Sequence, residues 1–107
     1  MSTTEEPTDG TVTMLSGREG GLWRVSTRDS THYFDLEAGT VTRVPGTSAA
    51  PGFNDVARPL RSIDTLTVGF GGRWTMHTDG WSESVDYYWH ESSLVMKIER
   101  VLSERPA

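Results

Sequence analysis

Residues 22–44 read LWRVSTRDSTHYFDLEAGTVTRV, and their alternation of apolar and polar side chains decides the fold. Trp23 and Val25 are separated in sequence by the polar Arg24, so apolar side chains recur at every second residue. This is the period of a strand with one buried face. Turn-forming triplets interrupt the alternation at residues 28–30 and 37–39. The stretch therefore predicts an antiparallel meander of three strands, at residues 22–27, 31–36 and 40–44.

The second half of the chain continues the strand pattern after a long irregular segment. Residues 45–59 contain three prolines and show no period, so we expect a loop there. Alternation returns at residues 60–70, 73–78 and 85–90, which predicts further strands. Residues 1–11 are polar and without period, so we expect a disordered tail followed by a single β domain over residues 12–107.

The last periodic segment, residues 92–102, fits two structures. Its apolar positions 94, 95, 98, 101 and 102 match one face of a helix, and Ser92 or Ser93 is a suitable N-cap. The alternation of Leu94, Met96 and Ile98 also matches a strand. Periodicity alone slightly favours the helix, and the strand stays open as the alternative.

Composition limits the class of protein. The 107 residues carry a net charge of −5 and no cysteine, so neither a disulfide nor a Cys-ligated metal is possible. No apolar run is long enough for a membrane helix, and the first ten residues lack the features of a signal peptide. We therefore expect a cytoplasmic protein that has no membrane partner.

Residues 23–46 resemble small bacterial proteins of the actinobacterial type. The shared order is Trp-x-Val-x-Thr at Trp23, then Tyr33 with Asp-Leu at residues 35–36, then Val-x-Arg-x-Pro-Gly from Val41. The run Ser-Ser-x-Val-x-x-Ile-Glu at residues 92–99 is similar to their C-terminal strand, so the resemblance implies a strand there. It implies no activity, cofactor or catalytic residue.

The combined pattern predicts a mainly β fold. We expect a small antiparallel β-roll or an open barrel of the SH3 or Sm type, with a possible short C-terminal helix. Such folds host many unrelated functions, so the function has to be argued from particular residues.

The aromatic stretch of residues 74–90, WTMHTDGWSESVDYYWH, has two interpretations. In the first, Trp74 and Trp89 face inward and close the core, while Tyr88 is half exposed. In the second, aromatic rings and carboxylates form a ligand face, for which the candidate residues are Trp81, Tyr88, Asp79 and Glu83.

An arginine set offers an alternative function. Arg24, Arg28 and Arg43 are predicted on the outer face of the meander, together with Tyr33. A sheet face with arginines and an aromatic ring suits single-stranded nucleic acid, although the net negative charge of the chain disfavours it.

The histidines suggest a third reading, a weak hydrolase or metal protein using His77 and His90. No two of the three histidines have a local metal-ligand spacing, and no serine lies in a nucleophile motif. We therefore expect no catalytic residue, no metal site and no cofactor. The favoured prediction is a non-enzymatic binding or interaction module that binds a protein partner or itself, plausibly as a homodimer.

Overall fold

Antiparallel strands build the fold. The computed structural model describes residues 8–45, 56–78 and 87–102, and these residues contain strands but no helix. The strands are β1 (Thr8–Val12), β2 (Leu22–Thr27), β3 (Ser30–Asp35), β4 (Thr40–Pro45), β5 (Arg58–Thr65), β6 (Gly71–His77) and β7 (Tyr87–Val101). The predicted all-β, antiparallel fold class is thus confirmed.

The long strand β7 closes the sheet on itself. The strand order is β1-β7-β2-β3-β4-β5-β6, and β7 also pairs with β6. The first half of β7 lies against β6, from His77 opposite Tyr87 to Gly71 opposite Leu94. Its second half lies between β1 and β2. Closure leaves an interior that side chains can fill, as the prediction of a roll or small barrel requires.

The predicted meander is present as β2, β3 and β4. Phe34 is opposite both Trp23 and Val41 across the two ladders. The β3–β4 turn is closed by the Asp35 carboxylate, which accepts the backbone N–H of Glu37 and Ala38 at 3.2 and 3.0 Å. Gly39 completes the turn at φ +75°, a conformation that glycine adopts without strain. Local sequence therefore fixes this hairpin.

The C-terminal segment is a strand, so the helical alternative is wrong for the residues up to Val101. Ser26 is opposite Lys97 while Thr27 is opposite Val95, which leaves Met96 as an extra residue in a bulge. The bulge places the fully buried residues Val95 and Ile98 three positions apart. This spacing imitates a helical face, which explains why the apolar pattern fitted both structures.

Three predicted boundaries need correction. Thr8 to Thr11 belong to β1 and pair with β7, so the predicted disordered tail is wrong for these residues, and residues 1–7 lie outside the described part. The loop predicted over residues 45–59 is too long at its C-terminal end, because β5 begins at Arg58. Residues 46–55 of this loop lie outside the described part of the chain. The strand predicted to reach Phe70 ends at Thr65, because Thr67 to Phe70 form a turn.

The core lies inside the closed sheet. Every strand from β2 to β7 except β5 contributes at least one buried apolar side chain, and Leu15 and Leu66 enter from connecting segments. The buried set is Leu15, Trp23, Val25, Phe34, Val41, Leu66, Trp74, Met76, Val95 and Ile98. His32 is buried on the same side of β3 as Phe34, two residues further along the strand.

Candidate binding face

The register of β6 and β7 decides which aromatic residues reach solvent. Trp74 is opposite His90 and Met76 is opposite Tyr88, and directly opposed residues share a face of the sheet. Because Trp74 is only 1% exposed, the alternate residues Tyr87 and Trp89 face outward, and Trp89 is 55% exposed. The interpretation that placed Trp89 in the core is therefore wrong, while that of Trp74 is confirmed.

Two arginines from neighbouring strands stack on these outward rings. The guanidinium of Arg61 on β5 lies 4.1 Å from the centre of the Tyr87 ring. That of Arg73 on β6 lies 4.8 Å from the centre of the Trp89 ring. Both distances fall within the range of cation–π attraction. We call these four residues, Arg61, Arg73, Tyr87 and Trp89, the aromatic–arginine face.

The two arginines differ in their charge partners. Arg73 lies between two carboxylates, with Nε 3.7 Å from Asp64 and Nη1 3.6 Å from Glu91. Arg61 has no carboxylate at ion-pair distance in the described ranges, and its guanidinium approaches the hydroxyl of Thr75 at 3.5 Å. The face therefore carries one neutralised and one uncompensated guanidinium, each held against a ring.

The predicted ligand residues are divided by this geometry. Asp79, Trp81 and Glu83 lie outside the described residues, so their roles stay predictions. Tyr88 is half-buried and packs against the core, on the opposite side of β7 from Trp89. A ligand on the outer surface of β7 meets Tyr87 and Trp89 rather than Tyr88.

The predicted nucleic-acid residues do not share one surface. Arg43 is opposite the buried His32, so it lies on the core-facing side of β4. Arg24 is opposite Tyr33 on the outer side, and Arg28 lies in the β2–β3 turn beside Asp29. The expectation of a common outer face for the three arginines is therefore wrong, because Arg43 lies on the inner face of the sheet.

Arg24 is committed to a nearly buried ion pair. Its Nη2 lies 3.1 Å from the Glu99 carboxylate, and the two side chains are 12% and 8% exposed. Burial by itself lowers the pKa of Arg24, but hydrogen bonds with Tyr33 and Glu99 outweigh it and raise that pKa. This arrangement ties β2 to β7 and keeps the guanidinium away from a ligand.

The two histidines proposed for catalysis or metal binding lie on opposite sides of the sheet. His77 is exposed on β6, whereas His90 is half-buried with its ring 4.9 Å from that of Trp74. His90 instead meets His32, at 5.5 Å between ring centres, a contact that the sequence did not indicate. In the described ranges, no three His, Cys, Asp or Glu side chains form a group that would hold a metal ion.

Burial keeps this inner histidine pair neutral. The pKa of His32 is lowered to about 3, first by burial and then by the nearby charges of His90 and Arg43. Burial and Arg43 also lower the pKa of His90, although Glu91 opposes the shift. Among the described residues, the Nδ1 atom of His32 has no hydrogen-bond partner, while Nε2 lies 3.3 Å from the Ser30 hydroxyl. The histidine pair therefore belongs to the core, and protonation of its rings destabilises the folded protein.

Comparisons of the chain with protein-family models, curated proteins and solved structures find no match. Over the described ranges, no helix has the length and apolar character needed to cross a membrane.

None of the four residues of the aromatic–arginine face was predicted from the sequence to contact a ligand, and Trp89 was predicted to lie in the core. The signal that would have found them was the parity of the β6–β7 hairpin, because an inward Trp74 forces Tyr87 and Trp89 outward once the register is known.

Proposed function

We propose that this chain is a non-enzymatic protein-interaction module that binds its partner through the aromatic–arginine face. The observation that carries the proposal is the exposure of Trp89 and Tyr87 on one strand, each with a guanidinium stacked on its ring. Trp, Tyr and Arg are the residues most enriched among the energetic centres of protein interfaces.

Stacking also prepares the arginines for binding. A guanidinium held against a ring has already lost part of its side-chain freedom, so a partner does not have to immobilise it. The planar fork of Arg61 keeps its donors available for a carboxylate, which arginine binds in a bidentate manner. We therefore expect the partner segment to present an acidic side chain to Arg61 and an apolar group to Trp89.

A protein partner is favoured over single-stranded nucleic acid for an electrostatic reason. Arg73 is shared by Asp64 and Glu91, and the chain as a whole has a net charge of −5. Phosphate backbones bind where several cations are uncompensated, because the release of counterions drives that binding. In the described ranges, Arg61 has no carboxylate partner while Arg73 is shared by two, and this mixture of charges suits a protein surface better.

The test compares the full chain with three variants as immobilised bait in a cell lysate. Trp89→Ala and Arg61→Ala each remove one component of the face, and Val44→Ala is the control because Val44 is an exposed apolar residue on β4. The captured protein is then purified and its affinity is measured for each variant. We expect Trp89→Ala to weaken binding by roughly 30-fold or more and Arg61→Ala by about tenfold, with no change for Val44→Ala.

Two outcomes contradict the proposal. If every captured protein binds the wild type and Trp89→Ala equally well, the face is not the contact surface. If capture disappears after nuclease treatment and falls steeply with salt, the ligand is nucleic acid rather than protein.

A further inference from the structure

Three segments without charged residues lie apart in the sequence. Residues 10–17, 65–72 and 92–96 contain no Asp, Glu, Lys, Arg or His, although 23% of the chain is charged. Charged side chains are normally spread over the surface of a small domain. If the fold brings the three segments together, the lack of charged residues in all of them needs one common explanation.

The backbone joins these segments at one end of the closed sheet. Leu15 donates to the carbonyl of Leu66 at 2.9 Å, and Val68 donates to the carbonyl of Thr13 at 2.9 Å. Gly69 donates to the carbonyl of Val95, whose own N–H bonds the carbonyl of Phe70, both at 2.9 Å. The segments thus lie side by side and contribute no charged side chain of their own to this end. The carboxylate of the neighbouring Glu19 accepts the N–H groups of Ser16 and Gly17, each at 2.8 Å.

Large apolar side chains are exposed at this end. Met14, Phe70, Leu94 and Met96 are between 42% and 64% exposed, and we call these four residues the apolar rim. The β2–β3 turn, whose Arg28 N–H bonds the Leu94 carbonyl, carries the charged residues Arg28 and Asp29, which lie 3.8 Å from each other and add no net charge. Because these side chains are exposed, the core does not account for them, and large apolar side chains that stay exposed next to one another mark an interaction surface.

We infer that the apolar rim is the interface between two copies of this chain. Each copy carries a net charge of −5, so the net charges of two copies repel each other. The three segments add no charged side chain of their own, so two copies approach there at the lowest electrostatic cost. Depletion of charge with enrichment of Met and Phe is also the composition of an interface core.

A twofold contact fits this composition. In a symmetric dimer the same patch meets itself, so it has to be self-complementary. Apolar groups need no opposite charge on the other copy, and the flexible thioethers of Met14 and Met96 adapt their shape to a facing ring such as that of Phe70. The rim and the aromatic–arginine face are separate sets of residues, so this inference does not depend on the proposed function.

The experiment is sedimentation velocity on the full chain, from about 1 µM to about 1 mM, a range that covers moderate and weak association. We expect the wild type to move from its monomer mass of 11.9 kDa toward twice that mass. Phe70→Asp and Met96→Glu each place charges face to face across the axis and should weaken the dimer by roughly 30-fold or more. Val44→Asp, an equally charged change at another exposed apolar residue, should have no effect.

Thermal denaturation of each variant verifies that it folds, since all three positions are exposed. A wild type that stays monomeric throughout the range overturns the inference. A dimer that resists both Phe70→Asp and Met96→Glu also overturns it. If Trp89→Ala alone dissociates the dimer, the copies meet through the aromatic–arginine face, and the rim is not the interface. If the chain remains monomeric while its apolar surface binds detergent or lipid vesicles, the rim is likewise not an interface between two copies.

Discussion

The two halves of β7 belong to one strand but have opposite environments. The C-terminal half pairs with β1 on one side and β2 on the other, and Val95 and Ile98 are completely buried. In the described ranges the N-terminal half pairs only with β6, and its Trp89 is mostly exposed. The largest apolar side chain of the strand is thus not the most buried one. Position within the closed sheet, rather than the size of the side chain, decides burial.

The strongest way to break this comparison is a pair of alanine substitutions in the same strand. Ile98→Ala opens a cavity in the core and should lower the free energy of unfolding by about 4 kcal/mol. Trp89→Ala removes a larger side chain from the surface and should cost about 1 kcal/mol or less. Urea denaturation of both variants measures the difference. Similar costs would show that the outer face of β7 is packed as firmly as its core side.

A second pair of substitutions compares the carboxylates of the two halves. Glu99→Ala leaves the nearly buried Arg24 without its carboxylate and should lower the free energy of unfolding by about 3 kcal/mol. Glu91→Ala breaks an ion pair between half-exposed side chains and should cost less than about 1 kcal/mol. Only the second effect should diminish further in high salt, since exposed charges are screened. Equal costs in urea denaturation contradict the contrast.

A smaller effect concerns the inner side of the N-terminal half, where His90 meets His32. The unfolded chain binds a proton to His32 near pH 6.5, whereas the folded protein binds it only near pH 3, so stability is lost as the pH falls through this window. The slope is about 1.4 kcal/mol per pH unit, or about 2 kcal/mol between pH 6.5 and pH 5.

Thermal and urea denaturation across this pH range provides the measurement. His32→Phe removes the titrating ring of His32 and should reduce the slope to the part that His90 contributes, while His77→Gln, at an exposed histidine on the other face, should leave it unchanged. A slope that survives undiminished in His32→Phe assigns the pH dependence to other groups.

The meander was predictable because its information is local. Period-two alternation and turn residues at 28–30 and 37–39 determine β2, β3 and β4 without reference to the rest of the chain. Residues 87–90 show the limit of this reasoning. Both faces of that segment carry aromatic rings, so alternation defines two faces without saying which one is inside.

The C-terminal segment shows a second limit. Strand periodicity assumes an unbroken pleat, but the bulge at Met96 moves Ile98 out of phase with Val95 and creates the three-residue spacing of a helix. A bulge depends on how β2 and β7 fit together across the closed sheet, so a single segment does not reveal it.

By itself, the sequence determined that this protein is an antiparallel β structure with no charged side chain in three of its segments, because pattern and composition are properties of neighbouring residues. Only the tertiary structure decided that β7 closes the sheet, that Trp74 is inside while Trp89 is outside, and that Arg61 and Arg73 stack on outward rings. It also decided that the three uncharged segments meet at one end. Each of these depends on the register between residues distant in the chain, and a change of one position in register exchanges the inner and outer faces of a strand.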